Sequence, residues 1–190
     1  MCGIAGAVGI STRPTNEEVR ALVQGIRHRG PDDHGLWASP TGDCVLGHAR
    51  LSIIDLSPAG HQPMIDAATG NCIAFNGEIY NFQALRAECQ AAGDVFRSGS
   101  DTEVILALYR RHGVDCLAKL RGMFAFALWD EREKRLFFAR DRVGKKPFNY
   151  ALADGGIQFC SEIQPLAEHP RIGKRMDMEA LDLYLHCQYV

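Results

Sequence analysis

The chain has 190 residues, 46% of them hydrophobic and 23% charged, and its 21 basic and 23 acidic side chains leave a formal net charge of -2. That length holds one domain with a sizeable core but is short for two. Near-balanced charge removes the electrostatic case for nucleic acid or an anionic membrane as partner, and the longest strongly apolar run, residues 123–129, is too short to span a bilayer.

Residues 3–9 alternate small and apolar groups and predict a short buried strand. Thr15-Asn16-Glu17-Glu18 has capping-box spacing, so a helix should follow through Val19, Leu22, Val23 and Ile26 and stop near Arg29-Gly30-Pro31. Residues 44–54 read as strand, and residues 57–63, with two prolines and a glycine, as loop. Residues 72–75 predict a strand ending at Asn76-Gly77, followed by a helix over residues 81–92 stopped by Gly93. Ser100-Asp101-Thr102-Glu103 is a second capping box ahead of a helix with a broad apolar face, and residues 114–120 add a short helix.

Residues 123–129 lack polar alternation and predict a strand covered on both faces, paired through the turn at 130–134 with residues 135–140. Asp154-Gly155 predicts a hairpin between residues 148–153 and 157–160. Helix returns after Ser161, and residues 177–187 form a separate helix beyond a basic linker at 171–175. Helices flanking doubly covered strands suit two face-to-face sheets with helices outside.

Seven cysteines at irregular spacing, with no C-x-x-C pair, favour reduced thiols over a disulfide framework or a zinc site. The apolar start lacks a basic n-region, so no targeting segment is expected and the cytoplasm is the expected compartment.

Cys2 is the first candidate for chemistry. Once Met1 is removed it carries a thiol and a free α-amine on one residue, and the amine's reference pKa of about 7.7–8.0 leaves a useful neutral fraction to take the thiol proton. Alone this is a weak signal. It is accompanied, in order, by Arg29-Gly-Pro-Asp32, Gly47-His-Ala-Arg-Leu-Ser-Ile-Ile-Asp55, Phe75-Asn-Gly-Glu-Ile-Tyr-Asn81, Ser100-Asp-Thr-Glu103, the run from Arg121 to Asp130, Ala139-Arg-Asp-Arg142 and Ser161-Glu162. Together with Met1-Cys-Gly-Ile-Ala-Gly6, this set closely resembles the glutaminase domain of glutamine-dependent asparagine synthetases and related class II amidotransferases, over residues 1–170.

That resemblance implies an α+β fold, the four-layer αββα sandwich of N-terminal nucleophile hydrolases. It implies hydrolysis of the glutamine side-chain amide to glutamate and ammonia through a Cys2 thioester. Asn76 (side-chain N–H) and Gly77 (backbone N–H) match the oxyanion hole. Arg50 matches the position that grips the α-carboxylate, as a guanidinium can do bidentately. Leu51, Ser52, Ile53 and Ile54 would line the same pocket, and Glu78 and Asp101 match acidic positions near the α-ammonium. Plainer readings stand beside these: a simple turn at Asn76-Gly77, a surface ion pair for Arg50, helix capping for Asp101. His48 reads as packing or a hydrogen-bond partner, Arg27-His28-Arg29 with Asp32-Asp33 as a polar loop with internal ion pairs, and Arg140-Asp141-Arg142 as a structural ion-pair network.

The run Gly144-Lys-Lys-Pro-Phe-Asn-Tyr150 departs from the relatives' usual Lys-Pro-Leu-Tyr-Tyr and is read as strand packing away from the site. In the family an ATP-using synthetase domain follows, and its phosphate-binding Ser-Gly-Gly-x-Asp-Ser motif does not occur here. Residues 171–190 are therefore read as a linker and the first helix of a missing synthetase domain, with Leu181, Leu183, Tyr184 and Leu185 exposed for another chain. The expected partners are L-glutamine and that ammonia-accepting domain, with no nucleic acid or membrane; a homo-oligomer is left open. No metal or cofactor is expected for the glutaminase step, and ATP and Mg2+ only for the synthetase domain.

Overall fold

A computed structural model describes residues 1–9 and 11–189. Among the described residues nine strands form two antiparallel sheets. The first runs β2 (Asp33–Ala38), β3 (Cys44–Arg50), β1 (Gly3–Gly9), β9 (Gly156–Cys160), β8 (Asn149–Ala153). The second runs β4 (Met64–Ile65), β5 (Cys72–Ile79), β6 (Gly122–Asp130), β7 (Arg135–Arg140). Helices α1 (Asn16–Gly25) and α4 (Ile163–Glu168) cover the first sheet, and α2 (Phe82–Ala91) and α3 (Asp101–His112) the second.

Side-chain alternation along each strand sorts residues into these layers. Ala5 and Ala7 of β1 join Val19, Leu22, Val23 and Ile26 under α1. Ile4, one residue earlier, turns to the inter-sheet layer with Cys44, Leu46, Cys72, Ala74, Ala125, Ala127, Trp129 and Phe159. Phe124, Phe126 and Leu128 of β6 face α2 and α3. β6 is thus covered on both faces, as its lack of polar alternation predicts, and the αββα order holds. Burying large side chains such as Phe126 and Trp129 contributes about 1.5–3 kcal/mol each.

The inter-sheet layer mixes small side chains (Cys44, Cys72, Ala74, Ala125, Ala127) with large ones (Ile4, Leu46, Trp129, Phe159). Within the first sheet, Gly6 makes room for its neighbours on β9 and β3: a Cβ there would lie 2.5 Å from the Phe159 ring and 2.7 Å from the Val45 carbonyl oxygen. β1 and β3 pack over β5, with the start of β1 and the end of β3 above its second half.

The Thr15 capping box forms as expected, with Glu18 N–H donating to Thr15 Oγ1 and Thr15 N–H to Glu18 Oε2. The second box forms by half. Ser100 Oγ accepts from Thr102 N–H, while Glu103 instead accepts from the N–H groups of Arg97 and Ser98, tying down the segment ahead of the helix. Residues 113–119 are a 3-10 helix. β2 has no counterpart in the sequence reading, and β3 stops at Arg50 where the apolar pattern ran on to Ile54. β5 does not end at Asn76-Gly77: it pairs with β6 through Ile79 and Gly122, so the plain-turn reading is overturned.

Arg171 ion-pairs with Glu18 at 2.7 Å and donates to the carbonyls of Thr12 and Arg13, so the basic segment starts pinned to the first sheet's helix layer. α5 (Met178–Cys187) contains no buried residue, though Leu181 is half-buried rather than exposed. No helix among the described residues is long and apolar enough to cross a membrane.

Candidate active site

The residue just ahead of β1 is Cys2, and the structure anchors it from three sides. Ser161 at the end of β9 binds Ile4 twice, its Oγ accepting the Ile4 N–H at 2.9 Å and its N–H donating to the Ile4 carbonyl at 2.8 Å. Arg29 Nε donates to the Cys2 carbonyl at 3.0 Å, and its Nη1 pairs with Glu162 Oε1 at 2.9 Å. The Cys2 Sγ accepts the Leu51 N–H at 3.3 Å and faces the Leu51 carbonyl at 3.4 Å. Burial pushes the thiol above its ordinary pKa, a rise partly offset by the Leu51 N–H, the chain's positive amino end and Arg50. The resting group is therefore a thiol, which needs a base to become a nucleophile.

Below Cys2 runs the far half of β5. Because β4 is only two residues long, β5 is an edge at Phe75, and its free backbone groups must find side-chain partners. Gln62 Oε1 accepts the Phe75 N–H at 2.7 Å, and His48 Nε2 donates to the Phe75 carbonyl at 3.0 Å, as a carbonyl partner requires. These two bonds fix the strand immediately before Asn76. Asn76 is buried, and its Nδ2 has no hydrogen-bond partner among the described residues. A buried donor left unmade costs about 1–3 kcal/mol, so it calls for an explanation. At Gly77 a side chain is excluded by β6: a Cβ would lie 2.3 Å from the Met123 carbonyl oxygen. Close strand packing by itself requires glycine here.

Arg50, at the end of β3, is buried, and its guanidinium donates to the carbonyls of Ser57 (3.1 Å) and Asp55. No carboxylate among the described residues pairs with it within 4.0 Å, so it is not the surface ion pair of the plainer reading. Asp101, in the first turn of α3, is buried too. Its Oδ2 accepts the Ile79 N–H at 2.9 Å and its Oδ1 the Ser100 hydroxyl at 3.4 Å. Burial raises its pKa above the usual carboxylate range against these bonds. The cap itself belongs to Ser100, which leaves Asp101 free of that duty.

Cys2, Arg50, Leu51, Ile53, Ile54, Asn76, Gly77, Glu78 and Asp101 all line one cavity of about 240 Å³. Ser52 is the exception. Its N–H is held by Asp32 Oδ2 at 2.8 Å, which anchors the loop from outside the cavity. Larger cavities lie beside Arg110 and beside Phe148, but neither holds Cys2 or Asn76. Among the described residues no cluster of three His, Cys, Asp or Glu side chains is placed to hold a metal ion.

Two cationic residues at the site escape the sequence reading. Arg29 is not part of an internal loop pairing with Asp32 and Asp33: it reaches Cys2 and Glu162, while Asp32 holds Ser52 and Asp33 pairs with His61. Lys146 belongs to the run read as distant strand packing, yet it lines the Cys2 cavity. The nearby Asp141 is not in an ion-pair network either. Against the effect of burial, the N–H groups of Lys145, Lys146, Phe124 and Val143 hold its carboxyl below the ordinary range.

His48 does not line the cavity. Burial lowers its pKa to about 4, despite the bond to Phe75, so it is a neutral strut near pH 7 and no base. The sign for stability follows: below pH 6.5 the unfolded chain binds a proton that the folded chain refuses. Stability should fall with pH between 6.5 and about 4, by about 2 kcal/mol at pH 5 from this group alone. Urea unfolding of wild type and His48→Gln at pH 7 and pH 5 checks this, the variant losing less on acidification.

A family model described as the glutamine amidotransferase domain matches residues 1–190. The glutamine-hydrolyzing asparagine synthetase 3 of Bacillus subtilis is 40% identical over 185 residues, covering 95% of this chain and 30% of that protein. The glutamine-hydrolyzing asparagine synthetase B of Escherichia coli is 43% identical over 171 residues, covering 87% and 30%. The chain thus spans 30% of the length of either relative. Among solved structures, the glutamine phosphoribosylpyrophosphate amidotransferase of B. subtilis, complexed with ADP and GMP, superposes with a TM-score of 0.76 at 21% identity. That match covers 87% of this chain and 43% of the other, and it carries the fold. With the family model spanning the whole chain, the αββα sandwich that sets Cys2 above Asn76 is a member of the glutamine amidotransferase domain family.

Proposed function

We propose that the chain hydrolyses the side-chain amide of L-glutamine to glutamate and ammonia, with Cys2 as nucleophile after removal of Met1. The Cys2 thiol gives its proton to the residue's own α-amine, and the sulfur attacks the amide carbon. The carbonyl oxygen, now an oxyanion, takes donors from Asn76 Nδ2 and the Gly77 N–H. The α-amine returns the proton to the leaving nitrogen, the C–N bond breaks, and ammonia departs from a glutamyl thioester. Water then adds to the thioester by the same proton route, releasing glutamate and the thiol.

Arg50 would hold the substrate α-carboxylate, with Asp101 and Glu78 near its α-ammonium. The observation that carries the reading is Asn76 Nδ2, a buried donor with no partner among the described residues, in the cavity that also holds the Cys2 thiol. Support for the amine as base comes from the absence of any histidine among the residues lining that cavity. The test is incubation with L-glutamine, reading glutamate and ammonia separately. Equal release of both supports the proposal; binding of glutamine with no turnover overturns it.

The relatives' names extend the proposal to the whole protein: ammonia passes to an ATP- and Mg2+-dependent synthetase domain that follows residue 170, with aspartate as the simplest acceptor. The glutaminase step gives ATP and Mg2+ no part. A cytoplasmic setting belongs to the same proposal; five of the seven cysteines are buried free thiols.

A further inference from the structure

We propose that Lys146 is a positioning residue for the nucleophile, its buried ammonium set at the amino end of the chain so that one cation biases both groups of Cys2, the α-amine toward its neutral form and the thiol toward thiolate. This rests on Cys2 being the processed N-terminal nucleophile.

The loop between β7 and β8 delivers the side chain. Asp141 Oδ2 accepts the Lys146 N–H at 2.9 Å, and Arg140 Nε donates to the Lys146 carbonyl at 2.6 Å. With the backbone pinned, the side chain crosses to the start of β1, where Nζ lies 3.0 Å from Met1 Sδ. A thioether is a weak acceptor. It is the only side-chain partner of Nζ among the described residues, and no carboxylate pairs with Nζ within 4.0 Å. A buried cation with so poor a partner is costly and is not explained by packing. Removing Met1 takes that sulfur away and creates the Cys2 α-amine at the same end of the chain.

The charged groups around Lys146 fit this role. Arg29, beyond α1, adds a second cation, while Glu78 of β5 and Asp141 beyond β7 offset it in part. Arg50 and Asp101 act on the Cys2 thiol from β3 and α3. Asp141 spends its oxygens on backbone N–H groups, so it leaves Lys146 unneutralised by direct pairing. A cation favours loss of a proton from an ammonium and from a thiol alike, so both effects run in the productive direction.

The experiment compares wild type, Lys146→Met and Lys146→Arg. It reads kcat/KM for glutamine hydrolysis against pH and the pH dependence of Cys2 alkylation by iodoacetamide. Lys146→Met should move the acid limb of both profiles to higher pH by about one unit, and Lys146→Arg should restore it. Should Lys146→Met not fold, Lys146→Gln carries the same expectation. A uniform rate loss with an unmoved limb overturns the role of Lys146. Undiminished hydrolysis by Cys2→Ala would instead overturn the nucleophile reading on which it rests.

Discussion

Cys2→Ala should bind L-glutamine and release no glutamate from it, a loss on the order of 10⁴-fold or more in kcat, because no thioester can form. Binding should survive, since the proposed contacts to the two ends of the substrate come from Arg50, Asp101 and Glu78, and none of them leans on the Cys2 sulfur. The sulfur's own bonds run to the backbone of Leu51. Calorimetry alongside the rate separates the two effects. Retained turnover would put the nucleophile elsewhere; binding lost together with rate would mean that Cys2 organises the pocket rather than reacts in it.

Asn76→Ala should lower kcat by about 100- to 1000-fold with little change in KM, the cost of one oxyanion donor. The accompanying expectation concerns stability. Asn76 Nδ2 has no partner among the described residues, so deleting it breaks no bond to that nitrogen and removes a buried unsatisfied donor. The variant should therefore melt near the wild-type temperature. A large drop in melting temperature, with the rate falling in proportion to the folded fraction, would assign Asn76 a structural duty instead.

The legible parts of this molecule are those whose cause is local. Thr15 and Glu18 cap α1 across three residues, and that bond is written in the spacing. The strand at residues 122–130 shows in its unbroken apolar run because both its faces are covered. Errors arise where a distant contact overrides a local signal. Asn76-Gly77 carries turn chemistry, but pairing with β6 extends the strand through Ile79. Residues 51–54 have a strand-like pattern, yet Leu51 turns to the Cys2 sulfur and Asp32 holds Ser52, so the chain leaves the sheet and folds over the cavity. β2 is hidden by its composition: Asp33-His34-Gly35 is poor strand material, and only pairing with β3 makes it one.

The site divides in the same way. Cys2, Arg50, Asn76, Gly77, Glu78 and Asp101 are legible through the ordered motif set, and they do converge on one cavity. Arg29 and Lys146 are not, because each meets the amino end of the chain across a long loop closure, 27 residues for Arg29 and 145 for Lys146. Nothing in the local composition of Arg27-His28-Arg29 or Lys145-Lys146 distinguishes a side chain that reaches the amino end of the chain from one in solvent. Gln62 is hidden for a related reason, whereas His48 is the hydrogen-bond partner that the sequence reading allows, its own partner alone being illegible. Their partners are the backbone groups of Phe75, which stand free only because β4 is so short.

The central claim is that Cys2, with its own α-amine free, is the nucleophile. Its most direct test is intact-protein and peptide mass spectrometry of the chain quenched with acid during turnover of L-glutamine. The account predicts a chain lacking Met1, carrying one glutamyl group as a thioester on Cys2 and on no other of the seven cysteines. Full turnover by a chain that keeps Met1, or a glutamyl adduct at another residue, would contradict it.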